Sequence, residues 1–202
     1  MNNLRHFLTG VRINKVIQYL AYSDIIMMSG WGLISPIIAV FFTEQVEGGD
    51  IALAGLSATV FFLVKSVLQI PIARWIDVRK GEKDDFYVLL VGVSLISLCA
   101  FLYIGVYLPW HVIAIQALFG LANALYYPAW LAIFTRHVDR NEEGLEWSMY
   151  FAGADFTGAL TAGLGGLIVS SWGYQVGFLV MGLTSVFGGA LLLGIASELK
   201  RK

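Results

Sequence analysis

The 202-residue sequence has few charged side chains: Asp, Glu, Lys and Arg make up 13% of it, against about 25% in typical soluble proteins. Its formal net charge is only −1, which argues against the basic surface that a nucleic-acid-binding protein needs. A single cysteine, Cys99, excludes a disulfide framework. Hydrophobic residues make up 58% of the chain. This is more apolar surface than a soluble domain of this length buries.

Long stretches of the sequence contain no charged residue. None occurs in residues 86–110, and none in residues 156–197. Because a helix needs ~20 apolar residues to cross a bilayer, the second stretch is long enough for two membrane-spanning helices. The first apolar segment follows basic residues, as in a signal peptide. It is too long for one and contains Asp24, so we interpret it as a retained helix.

The pattern predicts an all-α fold, a polytopic membrane protein with six transmembrane helices in one domain that comprises residues 1–202. The connections between the helices are short, and no Pro- or Ser-rich linker indicates a second domain. The predicted spans, numbered first to sixth along the chain, are approximately residues 16–43, 51–76, 86–109, 111–135, 145–171 and 174–197.

Basic residues lie almost entirely on one side of the predicted membrane protein. Twelve of the thirteen Lys and Arg residues fall before the first span, near the 2–3 and 4–5 loops, or after the sixth span. The exception is Lys65, inside the second span. By the positive-inside rule, we expect both termini in the cytoplasm and the protein in the cell membrane.

The first and fourth spans end alike. Residues 35–46 and 127–138 share Pro, Phe, Thr and Val at a constant offset of 92 positions. Because these spans cross the membrane in opposite directions, the match predicts an inverted repeat of three plus three helices, a construction principle of secondary transporters. Chance similarity between two apolar helices is the alternative interpretation.

The loop after the second span and the turn after the fifth span contain recognisable motifs. Residues 73–83, which follow the second span, read Ala-Arg-Trp-Ile-Asp-Val-Arg-Lys-Gly-Glu-Lys, with a small residue four places before Asp77 and Gly81 among basic residues. The turn at residues 172–174, Trp-Gly-Tyr, follows a Gly-rich fifth span and precedes Phe178. Together these features resemble the N-terminal half of a major facilitator superfamily (MFS) transporter.

The resemblance implies half of an MFS fold, in which the first helix of each triplet lines a central cavity and the third is peripheral. It also implies a secondary transporter with a small-molecule substrate and no cofactor. Gln116 stands where the proton-coupled drug exporters of the family usually have Arg, which argues against that subgroup.

Three charged residues fall inside the predicted spans: Asp24, Lys65 and Asp155. A charge in hydrocarbon costs at least ~2.5–3.5 kcal/mol on insertion scales and is a functional-site candidate by default. Each lies nine residues from a charged residue near the basic end of its helix, ~13 Å along the axis. We therefore predict one charged layer. It is either a fixed ion pair or a coupling site, where a carboxylate that loses its partner takes up a proton.

Polar residues of the first and fourth spans are predicted to line the substrate and proton pathway together with this layer. Tyrosines near helix ends are often interface anchors, but Tyr126 and Tyr127 precede Pro128 and lie well inside the fourth span. Pro36 and Pro128 are expected to kink the spans that carry these residues. The predicted pathway residues are Tyr22, Gln116, Asn123, Tyr126 and Tyr127.

The fifth span has small residues at every fourth position, which allow helices to pack closely in lipid. This predicted packing face consists of Ala154, Gly158, Ala162 and Gly166. This face can pack against another helix of the same bundle or against a helix of a second subunit. Because six helices supply only one wall of a pathway, we predict a parallel homodimer in which the second and fifth spans face the partner's fifth and second spans.

A cytoplasmic gate is predicted where the 2–3 and 4–5 loops meet across this dimer. Arg79 or Lys80 of one copy would pair with Glu142 or Glu143 of the other copy. The alternative is that the basic residues only direct topology. The predicted gate residues are Arg74, Asp77, Arg79, Lys80, Arg136, Arg140, Glu142 and Glu143.

The leading interpretation is a half-size secondary active transporter that moves a small solute by alternating access, with proton coupling. We expect no catalytic residue, metal or cofactor. Ser57 and Ser94 lack the following glycine of an intramembrane serine protease, and the histidines lie at or outside helix ends. The first alternative is a non-transporting or fragmentary half-permease subunit that needs another partner. A membrane-embedded enzyme and a channel are less favoured.

Overall fold

The computed structural model describes residues 13–79 and 81–199, and every regular element in these residues is helical. Six helical segments are long and apolar enough to cross a membrane. The predicted all-α fold with six spans is therefore confirmed. The spans, again numbered first to sixth, are Lys15–Glu44, Ile51–Val78, Glu82–Gly105, Pro109–His137, Glu143–Trp172 and Tyr174–Ala196, and the helix of the sixth continues to Leu199.

Local sequence signals set the ends of several spans. The side chain of Asn14 accepts a hydrogen bond from the backbone N–H of Val16, and that of Asp50 accepts one from the N–H of Leu53 at 2.7 Å. These caps satisfy donors that the first turn of a helix leaves free. Pro109 begins the fourth span, where its missing N–H has no cost. Gly173, with φ of 84°, makes the turn between the fifth and sixth spans.

The two prolines of the predicted repeat have different effects. The first span consists of two helices, Lys15–Ile34 and Ile38–Glu44, and the interruption contains Pro36. The fourth span continues as one helix through Pro128. Proline removes one backbone donor in both places, but only the first span divides there.

The spans pack as a repeat of three plus three helices predicts. The first span packs against the fifth and sixth, and the fourth packs against the second and third. The third also contacts the sixth, and the first contacts the fourth. Exchange of the two triplets leaves these main contacts unchanged, as an inverted repeat requires, whereas the smaller contacts of the first span with the second and of the fifth with the sixth have no counterpart of similar extent.

Glycines allow the closest approaches between spans. A Cβ atom added to Gly165 would lie 1.8 Å from the carbonyl oxygen of Leu33, on the first span. A Cβ on Gly92 would lie 2.7 Å from the backbone nitrogen of Tyr126, on the fourth. No side chain fits at such distances, so both contacts depend on the missing Cβ.

The closest contacts of the fifth span with the first involve a stripe beside the predicted packing face. Gly165 belongs to a neighbouring stripe that also contains Thr161, whose Oγ1 lies 2.3 Å from a Cβ built on Gly32. By contrast, a Cβ on Gly158 or Gly166 meets nothing within 4 Å in the described chain. Of the predicted face, which consists of Ala154, Gly158, Ala162 and Gly166, only Gly166 is exposed, and the Cα of Gly158 lies 3.6 Å from the Cβ built on Gly32.

Burial is uneven among the spans. In the second and fifth spans, only 11% and 6% of the most apolar 18-residue stretch is buried, against 33 to 56% in the other four. The third and sixth spans, expected to be peripheral, are more buried because they pack against the fourth and first spans and against each other. The least covered helices of the protomer are therefore the second and fifth.

Candidate functional site

Asp24 of the first span is the most enclosed of the three predicted intramembrane charges, with 2% of its surface exposed. Its carboxylate accepts a hydrogen bond from the hydroxyl of Tyr126, on the fourth span, and another from the hydroxyl of Tyr150, on the fifth. A buried carboxylate needs such donors to offset the loss of water. Three spans therefore meet at this one group, which we call the Asp24 clamp (Asp24, Tyr126 and Tyr150).

Tyr150 was missed by the sequence reasoning, which named the other two members of the clamp. Its ring packs in an aromatic cluster, with centroid distances of 4.9 Å to Trp130 and 5.8 Å to Phe134. Its distance from the end of the helix could have indicated this role. Tyr150 lies seven residues after Glu143, ~10 Å into the fifth span, which is close to the depth predicted for Asp24.

A cavity of about 290 Å³ lies next to the clamp and has Tyr126 in its wall. The first, second and fourth spans supply most of the wall, and the third and sixth spans add three residues. Met28 and Phe62 are exposed, so the cavity reaches the surface of the protomer between the first two spans. The lining residues are Met27, Met28, Trp31, Ala58, Phe61, Phe62, Ile96, Gln116, Phe119, Asn123, Tyr126, Met181 and Ser185.

The cavity wall is mostly aromatic and aliphatic. The ring of Phe119 stacks on Trp31 at a centroid distance of 4.6 Å and on Phe61 at 5.1 Å. Few polar groups interrupt this surface. Asn123 donates a hydrogen bond to the carbonyl oxygen of Phe119 at 2.9 Å, and its amide oxygen has no hydrogen-bond partner among the described residues. Such a wall suits an apolar or aromatic solute with one or two polar groups.

Equivalent positions of the inverted repeat frame the cavity. The offset of 92 residues that aligns Pro36 with Pro128 also aligns Met27 with Phe119, and both of these line the wall. It aligns Asp24 with Gln116 as well. The two triplets thus present a carboxyl group and an amide at corresponding places, so only one of them can carry a charge.

Lys65 lies apart from Asp24 in the protomer. Its side chain is half-buried, and its Nζ lies 5.1 Å from the ring centroid of Tyr127 and 5.8 Å from that of Phe61. Such contacts are cation–π interactions. The predicted pathway residue Tyr127 therefore faces Lys65 rather than the clamp.

Asp155 and Tyr22 are exposed, and Asp155 has no hydrogen bond or ion pair to any residue in the described part of the chain. The structure thus brings Gln116, Asn123 and Tyr126 together in the wall of one cavity, and Tyr126 also contacts Asp24. It does not bring Lys65 or Asp155 into contact with Asp24. Equal depth fixes the height of a residue on its helix but not the direction of its side chain.

A second buried carboxylate lies at the basic end of the bundle, which carries the 2–3 and 4–5 loops. Asp85, in the first turn of the third span, is fully buried and accepts a hydrogen bond from Arg136, in the last turn of the fourth. Next to this pair, Nε2 of His137 lies 3.7 Å from the carboxylate of Glu82. The sequence reasoning assigned Arg136 to the gate and Asp85 only to a loop.

The other predicted gate residues are mostly on the surface. Arg74, Asp77, Arg140 and Glu143 are exposed, and Lys80 lies outside the described residues. The guanidinium of Arg79 lies 4.4 Å from the ring centroid of Trp75. A shallow cavity of about 320 Å³ is lined here by Asp77, Arg79, Gly81, Glu82 and Arg136. The 2–3 loop therefore presents charged groups to the outside of the protomer.

The 4–5 loop carries an acidic cluster, formed by Asp139, Glu142 and Glu146. Each residue has a carboxylate oxygen within 4.8 Å of the others, close enough to share a cation, although no metal site was predicted. Glu146 is buried. One of its oxygens accepts a hydrogen bond from the backbone N–H of Asp139 at 3.3 Å, and the other has no partner among the described residues. This cluster therefore has unused acceptors.

Comparison with known proteins adds one finding. Residues 20–202 match the family model described as Major Facilitator Superfamily. The match confirms the resemblance seen at residues 73–83 and 172–174, and it includes the clamp, the cavity and both loops of the basic end. No curated protein matches the chain.

Proposed function

The chain belongs to the Major Facilitator Superfamily, a family of membrane transporters, and we propose that it is a half-size secondary active transporter that moves a small solute by alternating access. The observation that carries the proposal is the cavity of about 290 Å³ beside the buried Asp24 clamp. A titratable group held by two different spans next to a solute-sized cavity can link proton binding to the movement of those spans.

Asp24 is the proton-carrying group in this proposal. In the closed arrangement, its carboxylate is stabilised by hydrogen bonds from Tyr126 and Tyr150. When the fifth span moves away from the first, the hydroxyl of Tyr150 no longer reaches the carboxylate. A proton then takes the place of the lost hydrogen bond, and its later release restores the closed arrangement.

The substrate class follows from the wall of the cavity. The stacked rings of Trp31, Phe61 and Phe119 favour a flat apolar group, and Gln116 and Asn123 can hydrogen-bond to a polar substituent. We therefore expect a small amphipathic solute rather than a sugar, which would require many more polar contacts.

The working unit in this proposal is a parallel homodimer. The second and fifth spans are the least buried of the six, and Gly166 of the predicted packing face is exposed. A second copy related by a two-fold axis along the membrane normal would cover both spans, and it would complete the pathway as the two halves of a full-length transporter do. A different six-helix half is the alternative occupant, and mass measurement in lipid distinguishes the two.

The gate belongs to the same proposal. With both termini in the cytoplasm of a cell, the exposed Arg79 and its neighbour Lys80 would approach the acidic cluster of the partner's 4–5 loop. The exposed Asp139 and the half-buried Glu142 there would accept hydrogen bonds from these basic side chains. Such contacts would hold the cytoplasmic side of the pathway closed.

Transport is tested with the purified protein in liposomes that contain a pH-sensitive dye. We expect addition of an amphipathic aromatic solute to move protons in the wild type and not in the Asp24→Asn variant. Glu47→Gln, the same chemical change at an exposed loop position, is the matched control and should behave as the wild type. Proton movement that is unchanged in Asp24→Asn would refute the role of Asp24.

The gate is tested with cysteine pairs. Oxidation of Arg79→Cys/Glu143→Cys should link two copies covalently in one transport state. The control pair Arg79→Cys/Ser170→Cys places one cysteine at the opposite end of the bundle and should not link. If the first pair never links in any state, the gate is wrong, although the transporter and dimer proposals still stand.

A further inference from the structure

Two charged side chains inside the spans have no opposite charge next to them in the described protomer. Lys65 contacts only the rings of Tyr127 and Phe61 through its ammonium group, and Asp155 is exposed without a polar partner among the described residues. In hydrocarbon, each such charge costs ~2.5–3.5 kcal/mol at a helix centre on insertion scales. Both charges therefore require a group that the protomer does not supply.

Neither side chain can reach the lipid headgroups. The second span has 28 residues, and Lys65 lies 13 residues before its end at Val78. It is therefore ~20 Å from either end of the helix, several times the length of a lysine side chain. Asp155, 12 residues after Glu143, is ~18 Å from the basic end and has a shorter side chain. An opposite charge at this depth can therefore come only from protein.

The two charges match each other in sign and depth. Measured from the basic end, Lys65 and Asp155 lie within ~2 Å of the same height, well within the reach of a lysine. They also lie on the second and fifth spans, the two least buried helices. Exposed apolar side chains flank both of them, Phe62 near Lys65 and Phe156 beside Asp155.

We propose that Lys65 forms an ion pair with Asp155 of a second copy of this chain, which rests on the parallel homodimer described above. A two-fold axis along the membrane normal places the second span of each copy against the fifth span of the other, so the pair occurs twice, once on each side of the shared pathway. The ammonium then lies between the ring of Tyr127 and the partner's carboxylate. Each protomer thus neutralises the two unpaired charges of the other.

The pairing gives the dimer its specificity. Apolar helix faces attract one another only weakly in lipid, whereas a misplaced partner leaves two charges unpaired on each copy. A parallel arrangement in this register neutralises all four charges at once.

Exchange of the charges tests the proposal. Chains with Lys65→Asp carry two acidic residues, and chains with Asp155→Lys carry two basic ones, so each should fail to pair with itself. When chains of both kinds are produced together with different affinity tags, each interface regains one positive and one negative side chain. We expect the mixed pair to copurify about tenfold more than either variant with itself, which corresponds to ~1.4 kcal/mol.

Cross-linking tests the geometry independently. Oxidation of Lys65→Cys/Asp155→Cys should give a covalent dimer in membranes. Val64→Cys/Asp155→Cys is the matched control, because Val64 packs inward against Gly120, and it should remain monomeric. If differently tagged wild-type chains copurify but neither the exchange nor the cross-link behaves as expected, this ion pair is refuted and the dimer is not. If wild-type chains do not copurify, both are refuted.

Discussion

Arg136, in the last turn of the fourth span, donates a hydrogen bond to Asp85, whose side chain is fully buried at the start of the third span. The two residues differ in burial, because 37% of the Arg136 side chain is exposed. Removal of either partner therefore has unequal consequences. A buried carboxylate left alone has no access to water, whereas the guanidinium can turn outward to solvent.

We expect Arg136→Ala to destabilise the fold by about 3–5 kcal/mol, the usual effect of leaving a buried charge unpaired. Asp85→Asn should destabilise the fold less than Arg136→Ala does. The double variant Asp85→Asn/Arg136→Ala should be more stable than Arg136→Ala alone. Thermal unfolding of the purified protein in detergent measures all three. Arg79→Ala, which removes an exposed guanidinium from the ring of Trp75, is the control and should change stability by less than about 1 kcal/mol. Equal effects of Arg136→Ala and Arg79→Ala would show that the pair with Asp85 is unimportant.

Tyr150→Phe and Tyr126→Phe each remove one hydroxyl that donates to Asp24. A hydrogen bond to a charged group contributes about 1.5–3 kcal/mol, enough to change the balance between two conformations by at least tenfold. We expect both variants to fold and to lose solute-dependent proton movement in liposomes. Tyr107→Phe, at an exposed loop position, should retain it. Full activity of Tyr150→Phe would exclude a role for the fifth span in proton coupling.

Gly165→Ala should prevent close packing of the fifth span on the first, because the added Cβ would lie 1.8 Å from the carbonyl oxygen of Leu33. Overpacking of this kind typically costs about 1–3 kcal/mol. Gly163→Ala is the matched control on the same helix, since nothing in the described chain lies within 4 Å of its Cβ position. The yield of monodisperse protein and its unfolding temperature should fall only for Gly165→Ala. Equal behaviour of the two variants would contradict the described packing of the two spans.

The sequence was sufficient to predict the six spans, because apolar stretches of this length cross a bilayer as helices, and the repeat at an offset of 92 positions indicated their grouping. It also identified Asp24 and Tyr126, two of the three members of the clamp. Counting residues from helix ends gives the depth of a side chain, and depth alone placed Asp24, Lys65 and Asp155 in one layer. The direction of each side chain depends on how the helix is rotated in the bundle, which packing decides.

Other site residues gave weaker signals. Asp85 and Glu146 each lie in the first turn of a span, where acidic residues are common because they interact favourably with the helix dipole. Their burial results from neighbouring spans and has no local signature. The stripe that packs inside the protomer and the predicted packing face have similar compositions, so their sequences could not show which one meets the first span.

The interruption at Pro36 divides the first span into a helix of 20 residues and one of seven, whereas the fourth span runs for 29 residues through Pro128. A seven-residue helix has little stability of its own, so Ile38–Glu44 depends on contacts such as that of Phe41 with Phe178, at a centroid distance of 4.9 Å. Its amide hydrogens should therefore exchange with solvent deuterium faster than those of residues 129–137, as mass spectrometry can measure. Equal exchange would show that the short helix is as stable as the matching end of the fourth span. At Pro36 the first span thus divides into two units that can open separately. At the matching Pro128 the fourth span remains one unit.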